Sequence, residues 1–270
     1  MVPHRPVPYN PDMGFDVAAD SYGRFMGRYA EPLAGDFALF AGVEPGHRVL
    51  DVGCGPGALT ERLVAITGAG CVAAVDPSAP FVAATARRCP GVDVHAGVAE
   101  SLPFAEAGFD MALAQLVVHF MADPVAGLRE MARVTRPGGT IAACVWDHAG
   151  GTGPLSTFWS AVNELHPEVP DESRLAGSRR GHLGELCTSA GLEQVEEGAL
   201  TVRVEYATFD EWWEPYTLGV GPGGDHVAGL EPGERDRLRD RCRELLPTAP
   251  FAVDATAWAV RATRPSRPRG

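Results

Sequence analysis

Nine residues, VLDVGCGPG at positions 49–57, constrain the fold of this chain most. An apolar run leads directly into three closely spaced glycines. Such glycines let the backbone approach a ligand closely, and a helix that starts just after them offers free N–H groups at its N-terminus. The segment therefore predicts a strand, a tight turn and a helix that together hold a nucleotide-like ligand.

The chain continues this alternation up to residue 147. Apolar runs bounded by glycine, proline or aspartate favour strands, and the segments between them show the apolar spacing of helices. The expected strands are 47–52, 71–75, 92–95, 109–114 and 140–146, and the expected helices are 58–67, 79–88 and 125–134. This order predicts a Rossmann-like, doubly wound α/β sheet that is mostly parallel and binds its ligand at the carboxyl ends of the strands.

Single residues predict where some of these elements begin and end. Ser78 can cap the second helix, and Asp123 followed by Pro124 suits the start of the third. The sequence Arg-Pro-Gly-Gly at 136–139 predicts a stop and a turn before the strand that follows.

The chain after residue 148 has a different pattern, with fewer strands and more helices. The expected helices are 154–165, 180–190 with Gly191 as its C-cap, one that opens at the capping-box pair Thr208 and Glu211, and 231–246, with a loop at 166–178. A last strand at 251–262 should pair antiparallel with a strand at 195–206. We therefore expect seven strands in all, with an antiparallel final hairpin.

One domain over residues 15–263 accounts for these patterns. It comprises an N-terminal helical cover, a ligand-binding core at 45–147, and an inserted helical lid with the final strands at 148–263. Residues 1–14 and 264–270 are expected to be flexible tails.

Composition excludes several classes of function. The formal net charge is −12, which argues against nucleic acid as a partner. All 23 basic residues are arginine, so Schiff-base chemistry and a P-loop, which need lysine, are excluded. Six scattered cysteines without a C-x-x-C pair predict no metal site. Without a signal-peptide pattern or an apolar run of about 18 residues, we expect a soluble, cytoplasmic protein and no membrane partner.

The charge of Asp51 distinguishes between two classes of ligand for the glycine loop. A carboxylate two residues before the first glycine repels a pyrophosphate but attracts an ammonium and a sulfonium group. S-adenosylmethionine (SAM) has both positive groups and no phosphate, whereas NAD(P) has the pyrophosphate. Asp76, which ends the second strand, could accept the ribose hydroxyls of either cofactor, or simply begin the next helix.

Five ordered motifs resemble those of class I SAM-dependent methyltransferases. They are VLDVGCGPG at 49–57, VDPS at 75–78, GVAESLPF at 97–104, FDMALAQLVVHF at 109–120 and RPGG at 136–139. The resemblance covers residues 15–147 and is closest to the small-molecule group similar to ubiquinone/menaquinone-biosynthesis C-methyltransferases. It implies transfer of the SAM methyl group to an O, N or C nucleophile of a small, partly apolar or aromatic metabolite, with S-adenosylhomocysteine as the product.

The resemblance also implies which residues surround the cofactor. Asp51, Gly53, Cys54 and Gly55 would lie at its methionine end, Asp76 at the ribose, Pro77 on the adenine, Ala99 and Glu100 along the adenine edge, and the backbone carbonyl of Gln115 at the ammonium group. Val98 departs from the pattern, because many relatives have an aspartate there that binds the adenine amino group. In similar enzymes an N-terminal helix covers the cofactor. Tyr22 or Tyr29 could close the site against water and Arg28 could neutralise the cofactor carboxylate, or these residues could belong to an ordinary amphipathic covering helix.

The sequence indicates less clearly which residues would contact the methyl acceptor. The candidates for a general base, near carboxyl ends of strands, are His119, Asp147 and His148, against the alternatives of a packed histidine and a plain loop. The candidates for an aromatic acceptor pocket, which could equally be helix-packing residues, are Trp146, Phe158, Trp159, Trp212 and Trp213.

Two other functions remain open on the sequence alone: an NAD(P)-dependent oxidoreductase, and a non-catalytic SAM-binding protein. The arginine-only basicity and the richness in alanine, glycine and proline suggest a high-GC genome, in which similar enzymes often act in secondary metabolism. We expect a monomer or a homodimer.

Overall fold

Seven strands form one mixed sheet in the computed structural model, which describes residues 19–266. The sheet order is β3-β2-β1-β4-β5-β7-β6. The strands are β1 (Val49–Val52), β2 (Val72–Asp76), β3 (Asp93–Ala96), β4 (Phe109–Gln115), β5 (Thr135–Trp146), β6 (Glu193–Tyr206) and β7 (Phe251–Thr263). The first five strands are parallel, while β7 runs antiparallel to both β5 and β6. The predicted Rossmann-like sheet with its antiparallel hairpin is confirmed.

Ten α-helices flank this sheet within the described residues. They are α1 (Ala19–Tyr22), α2 (Arg28–Ala41), α3 (Ala58–Thr67), α4 (Ala79–Arg88), α5 (Pro124–Val134), α6 (Ser156–Leu165), α7 (His182–Ser189), α8 (Phe209–Trp213), α9 (Gly221–Gly229) and α10 (Pro232–Leu245). A π-helical segment, Gly23–Gly27, joins α1 to α2. The glycine-rich α9 was not predicted, because glycine has low helix propensity and interrupts the apolar spacing.

Alternate residues of the central strands face two hydrophobic cores. On β4, Met111 and Leu113 belong to a core that also contains α2, α6 and α10, whereas Ala112 and Ala114 belong to a second core with α5 and α7. Burial on both faces explains why the central strands are continuous apolar runs. Because β1 pairs in parallel with both β2 and β4, the carboxyl ends of these three strands meet at one edge, where the glycine loop lies.

Most of the predicted element boundaries hold, with two corrections. Asp123 accepts a hydrogen bond from the Ala126 N–H and caps α5, but the Ser78 side chain makes no capping bond to α4. The predicted stop at 136–139 is wrong, because β5 already begins at Thr135 and these residues form a register shift inside it. The strand can continue there because Gly139 has no Cβ. A Cβ at this position would lie 2.5 Å from the Asp110 carbonyl oxygen, so only glycine permits this close backbone approach.

The C-terminal half follows the predicted order. Glu211 N–H donates to Thr208 Oγ1 while its carboxylate accepts from the Ala207 N–H, which completes the predicted capping interaction. Gly191 has φ +85° and ends α7. Arg264 donates to the carbonyl oxygens of Arg133 and Thr135. Arg264, the first residue of the tail predicted at 264–270, is therefore anchored to the sheet. Residues 1–14 and 267–270 of the two predicted tails lie outside the described residues.

Candidate cofactor and acceptor site

The glycine loop after β1 adopts a conformation that only glycine takes easily. Gly53 has φ +72°, and a Cβ added to it would lie 2.4 Å from a methyl carbon of Val117. The backbone N–H groups of Gly53 and Cys54 both donate to the Val75 carbonyl oxygen, at 2.7 and 3.1 Å. These bonds tie the loop to the end of β2, and Cys54 is buried within it.

A small cavity of about 30 Å³ lies beside this loop, lined by Asp51 and Gln115 among others. Asp51 is 1% exposed, and its Oδ2 atom accepts from the Thr60 hydroxyl at 2.6 Å. The Gln115 amide nitrogen donates to the Ala30 carbonyl oxygen at 3.0 Å. Asp51 Oδ1 and Gln115 Oε1 have no hydrogen-bond partner among residues 19–266. Two buried acceptors without a donor fit a ligand that brings an ammonium group.

Burial raises the pKa of Asp51 to about 7, and the nearby Asp76 carboxylate contributes in the same direction. The hydrogen bond from Thr60 opposes this shift. A cationic ligand in the cavity would favour the ionised form of Asp51.

The next cavity along the strand ends has a volume of about 100 Å³ and is lined by Asp76 and Pro77. Asp76 Oδ2 accepts from the Gly55 N–H at 2.9 Å, and Oδ1 accepts from the Ser78 N–H at 2.8 Å. Burial raises the pKa of Asp76, and these two backbone bonds oppose the rise. Each carboxylate oxygen keeps a second lone pair, so the geometry suits a vicinal diol while the loop stays bonded.

A third, more open cavity of about 370 Å³ continues from Pro77 to Ala99 and Glu100. Its lining is mostly apolar, and Val98 is 44% exposed there. Glu100 Oε1 accepts from the Asp123 N–H at 3.2 Å, which holds the loop before α5. This cavity and the two before it are neighbours along the edge of the sheet, since each shares lining residues with the next, and we call the three together the channel.

Tyr22, at the end of α1, covers this channel and packs edge-on against Phe81 with ring centroids 5.4 Å apart. Arg28 does not line the channel. Its guanidinium pairs with Glu211 and lies 4.8 Å from the Tyr206 ring centroid. Arg28 and Tyr22 together line a larger cavity of about 920 Å³, which shares Ala30, Pro56 and Ala58 with the cavity beside Asp51. The role of Arg28 at the cofactor carboxylate therefore stays a prediction.

A further cavity of about 40 Å³ adjoins the channel on the other side of Tyr22 and Leu116. Three residues that were expected on the acceptor side line it: His119, Trp146 and His148. The remaining lining is Phe25, Met26, Phe120, Leu155, Glu172 and 220–223. We call it the acceptor cavity, since Tyr22 and Leu116 are common to it and to both inner cavities of the channel.

Asp147 does not line any of these cavities. Its carboxylate accepts from the Gly150 N–H, the Thr152 hydroxyl and the Trp258 indole N–H, at 2.7–2.9 Å. This carboxylate therefore holds the turn after β5, and a role as base is not supported by its position.

The other predicted aromatic residues pack among themselves instead of lining the acceptor cavity. Phe158 stacks on Tyr216 with ring centroids 4.5 Å apart, and Trp159 donates its indole N–H to Glu172 at 2.8 Å. Trp212 and Trp213 are both buried in the same core. These four follow the alternative of helix-packing aromatics, and only Trp146 reaches the acceptor cavity.

Two residues at the site were not singled out from the sequence. Leu116 has φ +61°, a left-handed conformation that is unusual for a branched side chain and often marks a functional position. Glu172 is an acid only 6% exposed in a segment expected to be a loop. The sequence around Glu172, with prolines and a serine nearby, gives no signal that this acid is buried. Leu116, by contrast, follows Gln115 at the end of β4, and that position does indicate the ligand-binding edge.

The chain is similar to proteins of known families. A family model described as a methyltransferase domain matches residues 50–143. A demethylmenaquinone methyltransferase of Mycolicibacterium gilvum (strain PYR-GCK) is 42% identical over 181 residues, covering 66% of this chain and 75% of that protein. Another, from Mycobacterium sp. (strain KMS), is 46% identical over 103 residues, which are 38% of this chain. In that second case the match spans less than half, 43%, of the relative's length.

Among solved structures, a phosphoethanolamine N-methyltransferase 2 of Haemonchus contortus, in complex with phosphomonomethylethanolamine and S-adenosylhomocysteine, has a TM-score of 0.57. It is 17% identical, and the alignment covers 92% of this chain and 57% of that one. At this identity the likeness concerns the fold. With one relative matched at 42% identity over three quarters of its length, the chain belongs to the class I SAM-dependent methyltransferases, and S-adenosylmethionine is its cofactor.

Proposed function

We propose that this protein transfers the methyl group of SAM to a small, partly apolar or aromatic metabolite bound in the acceptor cavity. The observation that carries the proposal is the pair of buried acceptor atoms without a donor, Asp51 Oδ1 and Gln115 Oε1, at the inner end of a channel that adjoins a second cavity. SAM, when bound, supplies a methyl carbon that its sulfonium already activates. The contribution of the protein is therefore mainly to position the two ligands and to exclude water.

Three groups of residues would hold the cofactor. Asp51 and Gln115 would accept the ammonium N–H groups, and Asp76 would accept the ribose hydroxyls while it keeps its bonds to the loop. The apolar walls of the outer cavity, with Pro77 and Ala99, would contact the adenine. We propose these roles for the residues that the motifs indicated, together with a covering role for Tyr22.

The acceptor is proposed to be small because the acceptor cavity has a volume of only about 40 Å³ and a mostly apolar lining. The net charge of −12 disfavours nucleic acid as the acceptor. The related enzymes named above are demethylmenaquinone methyltransferases, which supports an aromatic acceptor for this chain. No helix within residues 19–266 is long and apolar enough to cross a membrane. The cytoplasmic location, the role in secondary metabolism, and the monomeric or homodimeric state stay predictions.

Calorimetry with SAM and with S-adenosylhomocysteine tests the cofactor assignment. We expect both to bind the wild type, and we expect Asp76→Ala to weaken binding at least tenfold, since hydrogen bonds to a charged group contribute about 1.5–3 kcal/mol each. Asp93→Ala is the matched control, because it removes an exposed acid from the opposite end of a neighbouring strand. Absence of binding by the wild type would refute the proposal.

Methyl transfer itself is tested with radiolabelled SAM against a panel of phenols, amines and quinols. Binding of SAM with no transfer to any of them would favour the alternative of a non-catalytic SAM-binding protein. The oxidoreductase alternative predicts NADH binding that Asp51→Asn tightens. We expect no such binding, because the buried carboxylate of Asp51 would repel a pyrophosphate.

A further inference from the structure

A histidine and a glutamate lie together at the wall of the acceptor cavity. His148 Nδ1 is 3.9 Å from Glu172 Oε2, and the two side chains are only 5% and 7% exposed. The same carboxylate oxygen accepts the Trp159 indole N–H at 2.8 Å, which fixes the carboxylate in place. The separation from Nδ1 is longer than a hydrogen bond, so the carboxylate lies beside that nitrogen and leaves Nε2 on the other side of the ring.

The other nitrogen of this ring has no assigned partner. His148 Nε2 is buried and makes no hydrogen bond to any described residue. Since His148 lines the acceptor cavity, a donor on the acceptor could bond to this nitrogen. A buried ring nitrogen without a partner costs free energy unless a ligand satisfies it, so its retention points to a ligand.

Two other titratable groups face His148 in this cavity. The His119 ring centroid lies 5.9 Å away, and Tyr22 lines the same cavity. Burial, and secondarily the neighbouring His148, lower the pKa of His119 well below its ordinary value, while burial raises the pKa of Tyr22. Both groups are therefore uncharged near neutral pH. The Asp76 carboxylate acts on Tyr22, and of the two histidines His148 is the one with a carboxylate, Glu172, beside its ring.

We propose that His148 is the general base of the reaction, that Glu172 is its positioning residue, and that the acceptor carries an acidic hydroxyl on a planar ring or enol. The proposal rests on the methyl-transfer function proposed above. His148 Nε2 takes the hydroxyl proton, and the electron pair left on the acceptor forms the new bond to the methyl carbon. The bond from that carbon to sulfur breaks with its electron pair going to sulfur, and the proton then passes from His148 to water.

The size of the cavity adds a requirement. Its volume of about 40 Å³ exceeds the ~10–15 Å³ that one water needs, but an engineered cavity that binds benzene has about 150 Å³. A ring-sized acceptor therefore requires a wall to move outward. The wall formed by Phe25 and Met26 belongs to the π-helical segment, a kind of helix distortion that is frequent at functional sites.

The probe for this proposal is 4-nitrophenol, whose ionised form absorbs visible light. It is added to the wild type saturated with S-adenosylhomocysteine, and the absorption of the bound dye is followed against pH. We expect the pKa of the bound dye to lie about one unit below that of the free dye, which is about tenfold more phenolate at acidic pH. His148→Gln should abolish this shift, and Glu172→Gln should reduce it while the dye still binds.

The control variant is His226→Gln, which removes another histidine whose Nε2 atom is buried and unpartnered among the described residues but which lies outside the cavity. It should leave the shift unchanged. If His148→Gln does not fold, Glu172→Gln, which keeps the shape of the side chain, carries the test. The proposal is overturned if the wild type binds no dye, if the bound dye keeps its free pKa, or if neither variant changes the shift. Calorimetry on the same samples separates these outcomes from a failure to bind S-adenosylhomocysteine, which would refute the cofactor role itself.

Discussion

Asp51→Asn should make the protein more stable and at the same time impair its binding of SAM. The asparagine side chain keeps the shape of the aspartate and an oxygen that can accept the Thr60 hydroxyl hydrogen bond, but it carries no charge. The buried carboxylate of the wild type faces a second unpartnered oxygen, Gln115 Oε1, across the same small cavity. Without a cation between them, the ionised carboxylate is unfavourable there.

The magnitude follows from the pKa of Asp51, which burial raises from 3.8 to about 7 in the folded protein. Below the lower value both states hold the proton and no free energy is lost. Between the two values the unfolded chain has released the proton and the folded chain has not, so stability falls with rising pH by up to about 1.36 kcal/mol per unit. Over roughly three units the loss is about 4 kcal/mol, complete above about pH 7. Asp51→Asn should recover a large part of it.

The affinity for SAM should rise with pH, whereas the stability of the cofactor-free protein falls. The ammonium group of SAM prefers the ionised carboxylate, so binding below about pH 7 must displace the proton of Asp51, and Kd should rise about tenfold per pH unit as the pH falls. Asp51→Asn should bind about 10- to 100-fold more weakly at about pH 8, because a hydrogen bond to a charged group is lost. Its Kd should not show this pH dependence.

The assay combines urea denaturation of the cofactor-free protein with calorimetric titration of SAM from about pH 6 to about pH 8. Asp93→Asn is the control, since it removes the same charge at an exposed position. The reasoning is refuted if Asp51→Asn is less stable than the wild type at the upper pH, or if the two proteins show the same pH dependence of Kd.

Three other substitutions test the structural roles of individual residues. Gly53→Ala should abolish SAM binding and cost about 1–3 kcal/mol in urea denaturation, because its Cβ would overlap a valine methyl at positive φ. Gly46→Ala, also at positive φ but next to open space, should leave SAM binding unchanged. Asp147→Ala should cost about 2–4 kcal/mol of stability through its three lost hydrogen bonds; a change in activity without a loss of stability would contradict this role. A double-mutant cycle on Arg28 and Glu211 should give less than about 1 kcal/mol, decreasing with salt, since both side chains are about one-third exposed.

The cofactor half of the site could be predicted because its chemistry is local in sequence. The glycine loop, Asp51 and Asp76 owe their positions to the ends of two adjacent parallel strands, and such strand ends necessarily meet at one edge of the sheet. The alternation of short strands and helices predicts the parallel, doubly wound class of fold without any knowledge of tertiary contacts. Gly191 and the pair Thr208–Glu211 were predictable for the same reason, since caps depend on neighbours within a few residues.

The acceptor half could not be predicted, because its contacts join distant parts of the chain. His148 meets Glu172 across a turn and a loop whose path no periodicity encodes. Asp147 appeared equivalent to His148 in sequence, yet one side chain folds back on its own turn and the other enters the cavity. Arg28 was expected to bind a carboxylate, and the one it binds in the structure is that of Glu211, 183 positions away.

Tyr22 and Leu116, the two residues common to the acceptor cavity and the inner channel, give the two ligands a shared boundary. Ordering these two residues costs conformational entropy. A ligand that orders them from one side lowers this cost for the ligand on the other side. By thermodynamic reciprocity, SAM must then raise the affinity for the acceptor by the same factor as the acceptor raises the affinity for SAM. We therefore expect the two substrates to bind cooperatively, so that loss of one after turnover weakens the binding of the other.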